Sequence, residues 1–141
     1  MKALTISQPY ASLIAIGEKW VENRTWEMKY RGPLAIHAGK GTQYLDRQQL
    51  AEYPTGCIIA VAELVGCVHI DRLRLMSEVK PKVCMPGCPP GMERYWGEIL
   101  RHPHTEGPWC WVLSDIKQLK KPIACRGMQG LWEFQKRLMQ R

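Results

Sequence analysis

The segment GEKWVENRTW, residues 17–26, combines charged side chains with tryptophans directly after an apolar run. A guanidinium matches a phosphate or a base edge with a planar fork of donors, and an indole offers a face on which a base can stack. A lysine at a corner between a helix and an extended segment suits proton transfer or the stabilisation of an oxyanion. Arg24 and Trp26 are therefore predicted to bind a nucleotide, and Lys19 and Glu22 to act catalytically.

The same residues also fit a structural role. Glu22 and Arg24 can pair with each other, and tryptophan fills protein cores more often than it stacks on bases. Glu63 raises a similar question, because it lies within the apolar run CIIAVAELVGCVHI, where an unpaired carboxylate is costly. It either points outward or meets a cation or water in a cleft. The inward orientation predicts a general base.

Two glycine-containing segments supply further candidate ligands for a nucleotide. The segment LAIHAGKG includes His37 and Lys40, and CRGMQG includes Arg126 and Gln129. Glycine allows the backbone to approach a ligand closely, and the cationic side chains can bind phosphate. All four residues are predicted to line a nucleotide cleft. A solvated Lys40, and a turn at residues 125–130 that needs glycine only for its dihedral angles, fit the sequence as well.

Two cysteines and two histidines have the chemistry of a tetrahedral zinc site: Cys84, Cys88, His102 and His104. The Cys-x-x-x-Cys spacing is permissible, but His-x-His is shorter than in the usual zinc finger, and the cysteine loop is rich in proline. The sequence leaves open whether these cysteines bind zinc or only form turns. Structural zinc is the one cofactor it suggests, and zinc here would hold the loop over the cleft.

The overall charge favours an anionic partner. The chain has 141 residues, a formal net charge of +7 and a pI near 9.2, which points to nucleic acid, although a basic surface that only confers solubility has the same composition. No apolar run reaches the roughly 18 residues of a membrane span, and the N-terminus lacks the pattern of a signal peptide. We expect a cytoplasmic protein without a membrane partner, whose six cysteines are reduced.

The elements that position these residues are short. Apolar patterns predict strands at about residues 4–6, 34–38, 57–70 and 109–113, another before Pro122, an extended segment at 19–26, and helices at 10–16, 43–53, 71–79 and 92–100. Residues 81–91 are rich in proline and glycine and predict a loop. Short strands with interposed helices favour an α+β fold, a small β-barrel decorated with helices, in one domain.

Taken together, the motifs resemble the ASCH domain family, whose barrel is related to the PUA domain. The resemblance rests on SQPYASLIAIGEKWVENRTW, YRGPLAIHAGK, GCIIAVAELVGCV, GPWCWVL and KPIACRGMQGLW. Its most specific element is Gly-x-Lys-x-x-Glu-x-Arg, carried by Gly17, Lys19, Glu22 and Arg24. The resemblance implies a PUA-like barrel with a cleft beside it for RNA or nucleotides. It makes residues 1–141 a single ASCH domain with an insertion loop at about 81–107.

The resemblance does not fix the activity. Some ASCH members are amidohydrolases that deacetylate N4-acetylcytidine, one resembles a metal-dependent ribonuclease, and others are modules of transcription coactivators. The amidohydrolases use a lysine, a threonine three residues later and a distant glutamate. Lys19 matches the lysine, Glu22 replaces the threonine, and Glu63, Glu78 and Glu93 compete for the glutamate. The first hypothesis is therefore binding of RNA or a modified nucleotide, with an amidohydrolase or a metal-dependent ribonuclease as alternatives.

Overall fold

The computed structural model describes residues 1–76, 82–83 and 94–135. The elements in this part of the chain are β1 (Lys2–Ile6), α1 (Tyr10–Ala15), β2 (Val21–Arg24), β3 (Gly32–Ala38), α2 (Arg47–Glu52), β4 (Cys57–His69), α3 (Ile70–Met76), β5 (Lys82–Val83), β6 (Arg94–Tyr95), α4 (Trp96–Arg101), β7 (Trp109–Ala124) and β8 (Leu131–Glu133). This mixture of helices and strands is the α+β class predicted from the sequence.

Six strands hydrogen-bond in the order β2-β7-β4-β3-β1-β8, and β5 pairs with β6 separately. Strand β1 runs parallel to β3, with Leu4 opposite Ile36, and antiparallel to β8, with Leu4 opposite Leu131. Strand β2 runs antiparallel to β7, with Glu22 opposite Trp111. The parallel pair needs a long connection between its strands, and α1 lies within that connection.

The chain forms two compact units. Unit 1 comprises Met1–Lys19, Pro33–Ala62 and Ile116–Arg141, and unit 2 comprises Trp20–Gly32 and Glu63–Asp115. The long strands β4 and β7 contribute residues to both. The prediction of one domain with an insertion at about residues 81–107 remains a prediction, and much of that segment lies outside the described residues.

Each unit has its own apolar cluster. In unit 1 the cluster consists of Ala3, Ala35, Ile58, Trp132 and Phe134. In unit 2 it consists of Val21, Val65, Val68, Ile70, Leu73, Trp96, Ile99, Cys110 and Val112. Strand β4 is buried along most of its length. Because alternate residues of a strand face opposite sides, this burial means that both faces of β4 are covered, which is why its sequence is a continuous apolar run.

Several element boundaries differ from the sequence predictions. Strand β7 continues through Pro122, where two strands were expected, because this end of the strand is exposed and tolerates a residue without an N–H group. The segment at 19–26 forms a strand only over Val21–Arg24. Helix α2 begins later than predicted, because Asp46 forms a capping box with Gln49.

No helix among the described residues has the length and apolar character to cross a bilayer.

Candidate functional site

A buried histidine stands at the centre of a hydrogen-bonded network in unit 1. His37, in β3, is 2 % exposed. Its Nε2 lies 2.9 Å from the carbonyl oxygen of Cys125, and its Nδ1 lies 3.2 Å from Thr5 Oγ1. The carbonyl can only accept, so Nε2 carries the proton and Nδ1 of the neutral ring accepts from the Thr5 hydroxyl. Trp132 Nε1 donates to the same hydroxyl at 3.1 Å, which completes the network.

The loop at residues 125–130 packs directly on this histidine. A Cβ atom at Gly127 would lie 2.6 Å from His37 Cε1 and 2.7 Å from Thr5 Oγ1, closer than any real contact. Gly127 is therefore required because the backbone lies so close to these side chains. Gly130 is required only for its dihedral angle, since its φ is 68° and a Cβ there would meet no neighbour. His37 holds the loop through its hydrogen bond to the Cys125 carbonyl and its ring contact with Gly127. Both of its ring nitrogens are used within unit 1.

Residues 126–129 line an open pocket of about 640 Å³. This volume lies within the range of small-molecule sites, about 300–1,000 Å³. The side chains of Arg126 and Gln129 are exposed, as is that of Met128. The two predicted ligands in CRGMQG therefore share one pocket wall.

Lys40 lies against Gly56, the residue before β4. Its aliphatic stem covers Gly56, since a Cβ there would lie 2.9 Å from Lys40 Cε. The Gly56 carbonyl in turn accepts the Cys125 N–H at 3.1 Å. Lys40 and Arg126 are exposed, and neither forms an ion pair with a described residue. The four residues predicted from the two glycine-containing segments thus all belong to unit 1, but only Arg126 and Gln129 line the pocket, and His37 is buried.

Lys19 is buried, with 2 % of its surface exposed. Helix α1 ends before Gly17, which adopts a φ of 86°, and the Lys19 N–H then donates to the Leu13 carbonyl at 3.1 Å. This reversal turns the side chain back toward α1, where Nζ lies 5.8 Å from the ring centroid of Tyr10. Lys19 is therefore not a solvated surface lysine.

In unit 2, Glu22 and Arg24 contact each other. Arg24 Nη2 donates to Glu22 Oε2 at 3.2 Å, and Glu22 Oε1 accepts the Asn23 N–H at 3.0 Å. Both side chains lie on the same face of β2, and the Arg24 guanidinium is 6.0 Å from the ring of the buried Trp111. This arrangement is the ion pair considered above as the structural alternative.

The two tryptophans of the segment also have partners within unit 2. Trp20 packs against the apolar cluster of unit 2, and its backbone N–H donates to His102 Nε2 at 3.3 Å. Trp26 lies outside β2 and meets Trp111 edge to face at 4.8 Å, while its carbonyl accepts the Trp111 indole N–H at 3.3 Å. Trp26 retains 38 % of its exposure and is the more accessible of the two.

Glu63 occupies a half-buried position in β4. Its neighbours Ala62 and Leu64 are both 1 % exposed, so the strand alternation places the carboxylate on the opposite face from their side chains. This placement explains how a carboxylate is tolerated in an apolar run.

The predicted zinc ligands are only partly described. Cys84 and Cys88 lie outside the described residues. The rings of His102 and His104 have centroids 5.6 Å apart, and His102 Nε2 is engaged by the Trp20 N–H. Within the described residues, no group of three or more histidine, cysteine, aspartate or glutamate side chains could hold a metal ion. The zinc site remains a prediction.

Three cysteines of the described chain lie in surroundings that disfavour the thiolate. Burial is the main cause that raises the pKa of Cys57, Cys67 and Cys125 above the ordinary value. The thiolate is the reactive form, so the raised pKa makes these side chains weaker nucleophiles than an ordinary cysteine. Cys67 Sγ also accepts the Met28 N–H at 3.3 Å.

Sequence reasoning missed several residues that shape unit 1, among them Thr5, Tyr10 and Tyr44. Thr5 gains its role only through contacts with distant parts of the chain. The sequence does contain one indication of the exposure of Tyr44, because this aromatic residue lies within the polar segment GTQYLD.

The model of the family described as "ASCH domain" matches residues 4–123. The chain belongs to the ASCH domain family. This ASCH chain is 33 % identical over 153 residues to human activating signal cointegrator 1, an alignment that covers 97 % of the chain and 23 % of the relative. It is 32 % identical over 81 residues to the mouse protein of the same name, covering 46 % of the chain and 14 % of the relative. The ASCH chain therefore spans less than a quarter of these relatives.

Solved structures show the same ASCH fold. The crystal structure of ASCH from Zymomonas mobilis superposes with a TM-score of 0.56 at 16 % identity, covering 99 % of this chain and 90 % of that one. A mutant form of the Zymomonas protein gives a TM-score of 0.54 at 16 % identity, covering 99 % and 91 %. This identity is too low to carry more than the fold. The shared fold agrees with the ASCH fold predicted from the motifs.

Proposed function

We propose that this ASCH chain binds RNA or a modified nucleotide at the pocket formed by residues 126–129. One observation carries the proposal: Arg126, exposed and without an ion pair to a described residue, lines a pocket on the loop whose Cys125 carbonyl is bonded to the buried His37. The exposed Lys40 belongs to the same unit and lies against Gly56. Exposed cations in the unit that holds this pocket suit a ligand that combines phosphate with a base. ASCH domains are associated with RNA, which supports this choice of ligand.

The proposal gives each residue of the site a separate role in binding. Arg126 and Lys40 bind phosphate oxygens, and the Gln129 amide reads a base edge with its donor and acceptor. His37 does not touch the ligand, because Thr5 and Cys125 engage both ring nitrogens. It is a positioning residue that keeps the loop in place. Arg24 and Trp26 of unit 2 stay predicted ligands, although each already has partners within that unit.

The test is the salt dependence of single-stranded RNA binding. Each phosphate contact that is removed lowers the slope of log K against log salt by about 0.7. We expect Arg126→Ala and Lys40→Ala to weaken binding and to flatten the slope by this amount. The control is Arg101→Ala, which removes another exposed arginine, at the end of α4, that has no ion pair among the described residues. Affinity that does not change with salt would refute the proposal.

The second candidate is an amidohydrolase that acts on an acylated nucleobase such as N4-acetylcytidine. The burial of Lys19, at the position of the lysine in the amidohydrolase branch, favours it. A desolvated lysine beside an aromatic ring can activate an attack or hold an oxyanion. Glu22 is less suited to replace the threonine, since Arg24 and the Asn23 N–H already occupy its carboxylate.

Turnover of N4-acetylcytidine, followed by ultraviolet absorbance, decides this second candidate. The wild type should consume the acylated chromophore, and Lys19→Ala should not, while both remain folded by circular dichroism. Glu22→Gln measures whether the carboxylate takes part in proton transfer. Labelled RNA incubated with and without a chelator tests the metal-dependent ribonuclease in parallel. Absence of turnover in every arm leaves binding as the function.

A further inference from the structure

An exposed tyrosine in unit 1 is held by an aromatic neighbour. Tyr44 is 55 % exposed, and its ring meets Tyr10 at a centroid distance of 5.4 Å and an interplanar angle of 68°. In this edge-to-face geometry one ring fixes the orientation of the other without covering both of its faces. Tyr44 therefore presents an oriented aromatic surface to solvent.

The two tyrosines are fixed by elements on either side. Tyr10 is the first residue of α1, whose start is tied down by the fully buried Gln8. The Gln8 side chain donates to Ser12 Oγ at 2.7 Å and to the Pro54 carbonyl at 2.8 Å, and it accepts the Ser12 N–H at 2.9 Å. These bonds connect the helix start to the turn before β4.

Tyr44 is fixed from the other direction by the start of α2. Asp46 accepts the Gln49 N–H at 2.8 Å, and Gln49 Oε1 accepts the Asp46 N–H at 3.1 Å. The Leu45 N–H also donates to the Thr42 carbonyl at 3.0 Å, closing the turn that contains Tyr44. A ring in such a closed turn, two residues before a capped helix, loses little conformational entropy when a ligand stacks on it.

An exposed lysine close to Tyr44 in the chain suits a nucleobase attached to phosphate. The buried Lys19 is not available to a phosphate, but its Nζ lies 5.8 Å from the Tyr10 centroid and supports the ring that orients Tyr44. The exposed Lys40 lies four residues before Tyr44 in the chain. An aromatic face next to cations is how proteins that bind single-stranded nucleic acid hold successive bases.

We propose that Tyr44, which is not among the residues that line the pocket at 126–129, is a stacking platform for an unpaired base of RNA, oriented by Tyr10. The inference rests on the proposed function and extends it, because a second point of contact with a base requires a strand rather than a single nucleotide. The ligand class is therefore single-stranded RNA.

The test compares an oligoadenylate of about 12 nucleotides with an abasic oligonucleotide of the same length and charge. Stacking is worth about 1–3 kcal/mol per base, which corresponds to about 5- to 150-fold in affinity. We expect Tyr44→Ala to lose this factor on oligoadenylate and to leave binding of the abasic oligonucleotide unchanged. Tyr44→Phe, which keeps the ring, should retain wild-type affinity for both. The salt slope should be the same in all three proteins, since no phosphate contact changes.

The matched control is Tyr95→Ala, which removes a tyrosine that is 37 % exposed in unit 2 and should change neither affinity. Equal affinity of wild type and Tyr44→Ala for oligoadenylate would overturn the platform and leave the proposed function intact. An equal loss on both oligonucleotides would also overturn it, because the effect would not depend on the base. Failure of the wild type to bind either oligonucleotide would overturn both proposals.

Discussion

The two units contain similar side chains in different circumstances. In unit 2, Arg24 is bonded to Glu22, and Trp20 is packed against the apolar cluster beside His102. In unit 1, the exposed cations Lys40 and Arg126 have no ion pair with a described residue. Most charged and aromatic side chains of residues 17–26 thus already have partners within the protein.

This difference shows what marks a binding site. Charged and aromatic residues in one short segment can satisfy each other, and their presence alone then says little about a ligand. A site requires polar groups that the fold holds in place and leaves accessible. The buried His37 and the glycine against it provide such support for the loop of unit 1, and the predictions below test this contrast.

The largest effect is expected at Asn23 in unit 2. Its Nδ2 donates to the His104 carbonyl at 2.7 Å, and its Oδ1 accepts the N–H groups of Glu106 and Gly107 at 2.9 and 2.8 Å. At about 1 kcal/mol for each bond, Asn23→Leu should lower the free energy of unfolding by about 3 kcal/mol. Urea denaturation measures the loss. RNA affinity of the folded variant should not change.

Asn23→Asp is the control for this substitution. It keeps an oxygen that accepts from Glu106 and Gly107 and puts a second carboxylate oxygen in place of the donor to His104. Its loss should be smaller than that of Asn23→Leu, because two of the three hydrogen bonds remain and their acceptor is charged. A variant with normal stability but weakened RNA binding would reverse the comparison and assign the ligand to unit 2.

In unit 1, Gly127→Ala should cost about 1–3 kcal/mol, because the new methyl group overlaps His37 and Thr5. It should also weaken RNA binding, since the loop that carries Arg126 must move. Gly130→Ala is the matched change in the same loop. It meets no neighbour and has only the unfavourable φ of 68°, about 1–2 kcal/mol. Thermal unfolding and fluorescence anisotropy separate the two; equal RNA affinity for both variants would contradict the role of His37.

A smaller effect is expected from Arg24→Ala. Because Arg24 is bonded to Glu22, the salt slope of RNA binding should stay that of the wild type, whereas Arg126→Ala flattens it. The measurement is the dissociation constant at several salt concentrations for both variants. A flatter slope for Arg24→Ala would support the prediction that Arg24 binds a nucleotide and would weaken the contrast between the units.

The smallest effect concerns Glu133 in unit 1. Hydrogen bonds from Lys2 and from the amino group of Met1 hold the pKa of this carboxyl below its ordinary value. The folded protein therefore binds the proton less readily than the unfolded chain, so the contribution is present above the unfolded-state pKa and is lost as the pH falls through the folded-state pKa. Glu133→Gln should be slightly less stable than the wild type at pH 7. The difference should vanish in acid; a constant difference would contradict the assignment.

The sequence determined the elements whose signals are local. The β-branched run at residues 57–70 became β4, Gly17 ended α1, and the ASCH motifs indicated the family and its fold. The ion pair of Glu22 and Arg24 was also foreseen as an alternative, because two residues on one strand face are neighbours whatever the rest of the chain does.

The tertiary structure decided how the candidate residues are placed and which of them are accessible. The burial of Lys19 and His37, the contact of Gly127 with His37, and the pairing of Tyr10 with Tyr44 join residues from 9 to 90 positions apart. No local propensity encodes such contacts, since they arise only when distant strands and loops pack together. Whether a charged or aromatic side chain is occupied or available depends on that packing, and so does the function proposed for it.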